Sequence, residues 1–214
     1  MKPEEVAPNA AAVVFGSRLP MALQYVQWLA TAGIDRGLLG PREAARLWDR
    51  HVLNCAVVGE LIENGESVCD IGSGAGLPGV ALAIARPDLD VVLLEPMQRR
   101  ADFLHETVDL LELQGVTVVR DRAGDFRPIA PFDVTIVRAV AKMGRLGEWS
   151  TGLLRPGGRL LALKGETVHE ELRREAKNLR RAGMSSWTVE SVGRDVVSPA
   201  TVVAVVKYDS RSNP

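Results

Sequence analysis

Between Val68 and Pro96 the chain reads VCDIGSGAGLPGVALAIARPDLDVVLLEP, and two glycine patterns overlap in it. Gly74, Gly76 and Gly79 fit G-x-G-x-x-G, the dinucleotide pattern, whereas Asp70, Gly72, Gly74 and Gly76 fit D-x-G-x-G-x-G. Both readings place a tight loop after a strand and before a helix, with Pro78 near the first turn, where a missing N–H does no harm. Asp70 separates them. A fixed negative charge at the strand end repels a pyrophosphate and attracts the ammonium and sulfonium groups of S-adenosylmethionine. Glu95 follows 25 residues after Asp70 and can accept hydrogen bonds from two ribose hydroxyls, a role that any adenosine-bearing ligand offers.

Further along, DRAGD (121–125) falls just after a strand, at the edge where an adenine would lie against backbone and a short polar side chain. Arg138 closes the run FDVTIVR. A guanidinium there can hold the methionine carboxylate of the ligand, or meet guanine O6 and N7 or a phosphate. The alternative is a salt bridge to Asp70 or Glu95, and the sequence leaves cofactor and nucleic-acid contact both open. Arg99, Arg100, Arg120, Arg122, Arg127, Lys142, Arg145 and Lys164 all fall at or near the same edge. Of these, Arg99, Arg100, Lys142, Arg145 and Lys164 are the candidates for gripping RNA. In HEELRREAKNLRRAG, Arg173, Lys177 and Arg181 recur at helical spacing and read as a solvated face.

The elements that would position these residues alternate. Strands are expected at 67–71, 90–95, 116–120, 132–138, 158–164, 186–192 and 201–208, with helices at 78–86, 97–113, 145–153 and 167–182. That alternation predicts an α/β Rossmann-like fold: a seven-stranded, mainly parallel sheet covered on both faces. The last two strands are joined by too short a loop for a crossover helix and should pair antiparallel. Before them, 10–30 and 41–62 read as two helices. The expected division is a helical extension (1–64), a single compact domain (65–210) and a short tail (211–214).

Hydrophobic residues at 46% and charged residues at 25% fit a folded globular chain rather than a disordered or fibrous one. No apolar run approaches the roughly 20 residues needed to cross a bilayer, and the N-terminal stretch makes a poor signal peptide, so the cytoplasm is the expected location. Three histidines without ligand spacing point away from zinc, and no metal is expected. Cys55 and Cys69 read as reduced, buried thiols. A net charge of −1 is low for a general nucleic-acid binder, so any such surface must be local. No long apolar stripe is left over, which suggests a monomer.

The combination IGSGAGLPGVALAIARPD, FDVTIVRAVA and RLLALKG, preceded by LWDRHVLN, resembles the bacterial glucose-inhibited division protein B family, from about Trp48 to Lys164. The stretch LLRPGGRLLALKG also looks like the element that precedes the fifth strand in class I S-adenosylmethionine-dependent methyltransferases. The resemblance implies that cofactor, methylation of guanosine N7 in 16S ribosomal RNA at guanine 527, and a partner that is the RNA or the small ribosomal subunit, including an assembly intermediate. It further implies cofactor contacts at Gly72, Leu77, the Ala123–Gly124 backbone and Arg138. The chain departs from the family at Ala123 and Gly124, where larger or acidic side chains are common, so only backbone contacts carry over there. The segment LATAGIDRGLLG is also divergent.

The chemistry agrees with this likeness. Guanine N7 is an unprotonated lone pair, so methyl transfer to it needs no general base, and no dedicated catalytic acid or base is expected beyond Arg138 as a candidate. A D/N-P-P-Y motif for gripping an exocyclic amine is absent, as is a Pro-Cys nucleophile. The rival readings are a small-molecule methyltransferase and a non-catalytic RNA-binding protein that keeps the cofactor as a structural ligand. A nicotinamide oxidoreductase fits less well, because of Asp70.

Overall fold

The structure is a computed structural model that describes residues 6–138 and 141–209; the expected tail at 211–214 lies outside the described residues. Seven strands form one sheet: β1 (Ser67–Ile71), β2 (Asp90–Leu94), β3 (Val116–Val119), β4 (Phe132–Arg138), β5 (Leu154–Lys164), β6 (Met184–Val192) and β7 (Thr201–Tyr208), in the order β3-β2-β1-β4-β5-β7-β6. The first five pair in parallel. β7 runs antiparallel to β6, as its short connection requires, and also inserts antiparallel beside β5. β1 and β4 are buried along nearly their whole length, which explains why SVCDI and FDVTIVR carry apolar residues on both faces. The edge strand β6 alternates instead and shows Ser, Thr and Glu to solvent.

Successive residues of β1 face opposite sides, and so do their cores. Val68 packs with the N-terminal segments, with α4 (Gly79–Ala85) and with Phe103 and Leu104 of α5 (Gln98–Leu110). Cys69 and Ile71 pack on the other side, with α6 (Met143–Thr151) and α7 (Val168–Arg181). The strand order reverses at β1, whose neighbours are β2 and β4, and the crevice at their carboxyl ends is where an open α/β sheet takes its ligand.

Three elements differ from their expected form. The stretch 10–30 is not one helix: α1 (Asn9–Phe15) stops at Gly16, which has a φ of 50°, and after one tight turn α2 (Leu19–Trp28) starts afresh with Pro20 in its first turn. The stretch 41–62 is composite, with a 3₁₀ segment (Pro41–Arg46), a π-helical segment (Leu47–Val52), the short α3 (Leu53–Ala56) and a final 3₁₀ turn (Val57–Leu61). The Pro-Gly-Gly sequence, read as a turn before the fifth strand, is a bulge inside β5. Phe132 pairs with Leu154 but Val134 with Arg159, and a Cβ on Gly158 would lie 2.8 Å from the Asp133 carbonyl oxygen. Among the described residues no helix is long and apolar enough to cross a membrane.

Arg159, just past that bulge, fixes the end of the N-terminal segments to the sheet. Its guanidinium donates to both carboxylate oxygens of Glu66, at 2.8 and 2.6 Å, and to the Leu61 carbonyl at 2.7 Å, while Glu66 also accepts the Glu63 N–H. The Arg159 contact holds the Glu66 carboxyl below its usual range. Glu66→Ala leaves this half-enclosed guanidinium unpaired, so urea unfolding should show a loss of about 3 kcal/mol at neutral pH. A lowered carboxylate pKa stabilises above the ordinary carboxylate range and fades as pH falls through the folded value. The difference between variant and parent should therefore shrink in acid, and a constant difference would show that the ion pair is not its source.

Candidate functional site

The glycine loop leaves β1 at Gly72 and enters α4 at Gly79. Two of its glycines are required by their surroundings. Gly76 has a φ of 93°, and a Cβ there would sit 2.9 Å from the Tyr25 hydroxyl oxygen; a Cβ on Gly79 would meet Asp70 Oδ2 at 2.6 Å and Leu93 closer still. These contacts also show what supports the loop. Tyr25, fully buried on α2, donates its hydroxyl to the Ala75 carbonyl at 2.8 Å. Asp70 Oδ2 accepts the Gly79 N–H at 2.9 Å.

Asp70 is therefore placed differently from the expected strand-end carboxylate. It lies on the α4 side of β1, wholly buried beneath the loop, and does not line the crevice. Among the described residues its Oδ1 has no hydrogen-bond partner. Burial pushes its carboxyl up to about 7, against the opposing pull of the Gly79 N–H and Ser73.

Glu95, at the end of β2, is 1% exposed and does line the crevice. Its oxygens accept the N–H groups of Gly74 at 2.9 Å and Met97 at 3.0 Å, which fixes the carboxylate and leaves lone pairs for a further pair of donors. Arg100 approaches it at 3.9 Å. The crevice has a volume of about 840 Å³. Its floor is Ile71, Gly72 and Leu94; Met97 and the loop 121–125 form one side, and Arg138, Arg145 and Trp149 the other. Gly124 faces the indole edge of Trp149, and Arg145 lies over that indole, 5.5 Å from the ring centroid, while pairing with Glu148.

Arg138 makes neither of the salt bridges that the sequence offered as an alternative. Its Nη1 meets His51 Nδ1 at 2.9 Å, and His51 Nε2 meets Glu43 Oε2 at 2.5 Å. A guanidinium only donates, so Nδ1 accepts and the imidazole is neutral, with its proton on Nε2 directed at Glu43. Burial lowers the His51 pKa, which agrees with a neutral ring, and the His51 hydrogen bond lowers that of Glu43. Ile136 pairs with Asp70 across β4 and β1, so Arg138, two residues on, lies at the glycine-loop end of the crevice.

Of the residues expected at the site, Gly72, Glu95, Ala123, Gly124, Arg138, Arg100 and Arg145 line the crevice, together with Arg122. Gly74, Gly76 and Leu77 belong to the loop behind the wall. Arg99 and Lys142 are exposed nearby but outside the lining. Lys164 is not at the mouth: its ammonium bonds Glu171 at 2.9 Å and the Ala141 carbonyl at 3.2 Å, joining β5 to the start of α7, so it is not free for RNA. Arg120 bonds Gln98, and Arg127 is held by the carbonyls of Gly124 and Phe126. Cys55 and Cys69 are fully buried, with their thiols pushed up by burial. The sequence reading did not single out Tyr25, Glu43, Met97 or Trp149. The available signal for Tyr25 was a phenol among the apolar face residues Ala22, Val26 and Leu29.

The site suits S-adenosylmethionine in three ways. Glu95 keeps acceptor capacity for ribose, Ala123 and Gly124 leave room beside Trp149 for a purine, and the unpartnered Asp70 Oδ1 adds negative potential under the end that would take the ligand's cationic groups.

Comparison with known proteins agrees. The family model described as rRNA small subunit methyltransferase G matches residues 18–197. A protein of Mycolicibacterium gilvum named ribosomal RNA small subunit methyltransferase G is 53% identical over 209 residues, spanning 95% of this chain and 92% of that protein. One of the same name from Corynebacterium glutamicum is 48% identical, spanning 92% and 91%. Among solved structures, TYW2 of M. jannaschii in complex with AdoMet aligns with a TM-score of 0.54 at 20% identity over 74% of each chain. An S-adenosylmethionine-dependent O-methyltransferase of Thermotoga maritima aligns with a TM-score of 0.56 at 17% identity, over 75% of this chain and 66% of that one. These two likenesses support the fold. With S-adenosylmethionine as its cofactor and a class I methyltransferase sheet around the crevice, the chain belongs to the rRNA small subunit methyltransferase G family.

Proposed function

We propose that this chain methylates N7 of a guanosine in 16S ribosomal RNA, guanine 527 by family likeness, on the naked RNA or on the small subunit as it assembles. The observation that carries the reading is the crevice itself: four arginines, Arg100, Arg122, Arg138 and Arg145, outnumber the lining carboxylates Glu95, Asp121 and Asp125 in a chain of net charge −1. Such a mouth suits a polyanion better than a small apolar metabolite.

When bound, S-adenosylmethionine supplies an electrophilic methyl group on a sulfonium. Arg138, at the glycine-loop end, holds the methionine carboxylate, and Glu95 accepts from the ribose hydroxyls. Gly124, Ala123, Met97 and Trp149 enclose the adenine. Arg100, Arg122 and Arg145 hold the RNA backbone. The lining carboxylates Glu95, Asp121 and Asp125 are not called on to take a proton. N7 needs no such base, so the residues act by holding donor and acceptor in line and excluding water, an effect worth about 7 to 11 kcal/mol.

Asp70 acts through its charge. Without ligand its carboxyl titrates at about 7. Cationic groups above it favour the ionised form, so binding drives off a proton near neutrality. Affinity for the cofactor should therefore rise from about pH 6 to pH 8 in calorimetry, with proton release that depends on buffer. Asp70→Asn should flatten that rise. In the free protein the sign is opposite: the folded state holds a proton that the unfolded chain has lost, so stability declines as pH rises from the ordinary carboxylate range toward 7. An unchanged pH dependence in Asp70→Asn would assign the titration to another group.

The direct experiment incubates the protein with methyl-labelled cofactor and small ribosomal subunits lacking this modification, with free guanosine and metabolite pools as controls. Label at guanine N7 of the RNA alone is the expected result. Label only in small molecules overturns the RNA assignment, and tight cofactor binding without transfer overturns the enzymatic one. Arg138→Ala should lower transfer by at least about tenfold without unfolding the protein.

A further inference from the structure

We infer that His51 is a positioning residue of the cofactor site: through Nδ1 it fixes the Arg138 guanidinium where the methionine carboxylate binds, and Glu43 fixes its tautomer by accepting from Nε2. The inference rests on the reading that Arg138 holds that carboxylate.

Arg138 sits at the last position of β4, with its side chain half-buried. A long side chain there loses considerable rotamer freedom when it binds an anion, unless something has already ordered it. His51 does this. It is 9% exposed, and Leu47, Trp48 and Val52 are buried beside it in the π-helical segment. Both ring nitrogens are engaged, each by a partner that accepts only one arrangement: the guanidinium can only donate, and the carboxylate of Glu43 can only accept. Moving the proton to Nδ1 would set donor against donor at Arg138 and leave lone pairs facing at Glu43, and rotating the ring would put a carbon where each nitrogen now stands.

The charged groups around the ring are Glu43 from the preceding 3₁₀ segment, Arg50 from its own π-helical segment and Arg138 from β4. Burial and the two arginines disfavour a charged imidazole, and Glu43 alone favours it. The neutral ring is what keeps Nδ1 an acceptor. It also orders Arg138 without neutralising it, so the guanidinium keeps its charge for an incoming carboxylate.

The test separates position from packing by using two ligands and three variants. S-adenosylhomocysteine carries the carboxylate, whereas methylthioadenosine has the same nucleoside without the amino-acid end. His51→Asn leaves an amide oxygen near the Nδ1 position, His51→Gln carries its amide group toward Nε2, and His51→Leu removes both polar contacts. By calorimetry, His51→Gln and His51→Leu should bind S-adenosylhomocysteine at least about tenfold more weakly, while His51→Asn stays within about threefold of the parent. Methylthioadenosine affinity should be unchanged in all three, which also reports that they fold. In an Arg138→Ala background, His51→Gln should cost nothing further, because the two residues act as one unit.

A packing role predicts a different order, with the small Asn worst and both ligands weakened in parallel; that result overturns the inference. Should Arg138→Ala itself spare S-adenosylhomocysteine, the reading of Arg138 fails and this inference with it. Should Arg138→Ala weaken it while His51→Gln does not, only the role of His51 fails. Nitrogen NMR of the parent protein is a second check that does not depend on a variant folding: Nδ1 should be unprotonated and Nε2 protonated at neutral pH, and the reverse tautomer or a doubly protonated ring overturns the inference.

Discussion

The hydrogen bond from Gly79 N–H to Asp70 beneath the glycine loop is the contact on which the site depends. It sets a carboxylate with no exposure at the end of a central strand, one of whose oxygens has no partner among the described residues. Burying such a group is costly, and one good hydrogen bond offsets only part of the cost. The loop conforms to that bond: a side chain at position 79 would collide with the carboxylate it must approach. The glycines thus do two different jobs. Gly79 lets backbone close on Asp70, whereas Gly76 turns the chain in a left-handed conformation against Tyr25. Once the loop is closed in this way, Gly74 can reach across to Glu95, and the ends of β1 and β2 share one hydrogen-bonded rim.

The N-terminal segments are part of this site and not a cover laid over a finished domain. They share an apolar core with β1, β2 and α4, and they send polar groups through it to the crevice. Tyr25 holds the loop from below, and Glu43 and His51 hold Arg138 from the side. The π-helical turn at Leu47–Val52 gives the local reason for the second contact. A π-turn is a wider and weaker form of helix, often found where function demands a particular side-chain placement. Here the segment buries Leu47, Trp48 and Val52 against the core while keeping His51 within reach of both Glu43 and Arg138.

The sheet was legible in the sequence because its strands are short apolar runs separated by amphipathic ones, and both the seven strands and the antiparallel end were read from that alternation. The insertion of β7 between β5 and β6 was not legible, since a hairpin and an inserted strand present the same short loop. The Pro-Gly-Gly bulge looked like a turn because its residues are turn residues; only the partner strand shows that pairing resumes across it. At the site, the glycine pattern, Glu95 and Arg138 carried their own signal. Asp70 was found, but its burial was not, since nothing in the pattern says which face of β1 it takes. Lys164 was misplaced for a similar reason: position at the strand end suggests the crevice, yet Glu171 on α7 takes the ammonium. Tyr25, Glu43 and the role of His51 lie outside the motif in sequence, and only tertiary contact joins them to it.

The charge pattern gains its meaning from these contacts. Away from the crevice, four arginines are neutralised by carboxylates: Arg36 by Glu106, Arg86 by Asp88, Arg155 by Asp133 and Arg159 by Glu66. The total stays near zero because 26 basic residues stand against 27 acidic ones. Arg138 is ordered by a neutral imidazole instead, and Arg100 stands 3.9 Å from its carboxylate, beyond hydrogen-bonding range. A salt bridge from Arg138 to Asp70 or Glu95 would have ordered the guanidinium equally well, but it would have spent the charge that an anionic ligand needs. With a Debye length of about 8 Å at physiological salt, only charges near the mouth act on an approaching phosphate, so the distant pairs do not dilute this field. An acidic chain can therefore keep a charged arginine in its cleft where the side chain that orders it, as His51 does for Arg138, carries no charge of its own.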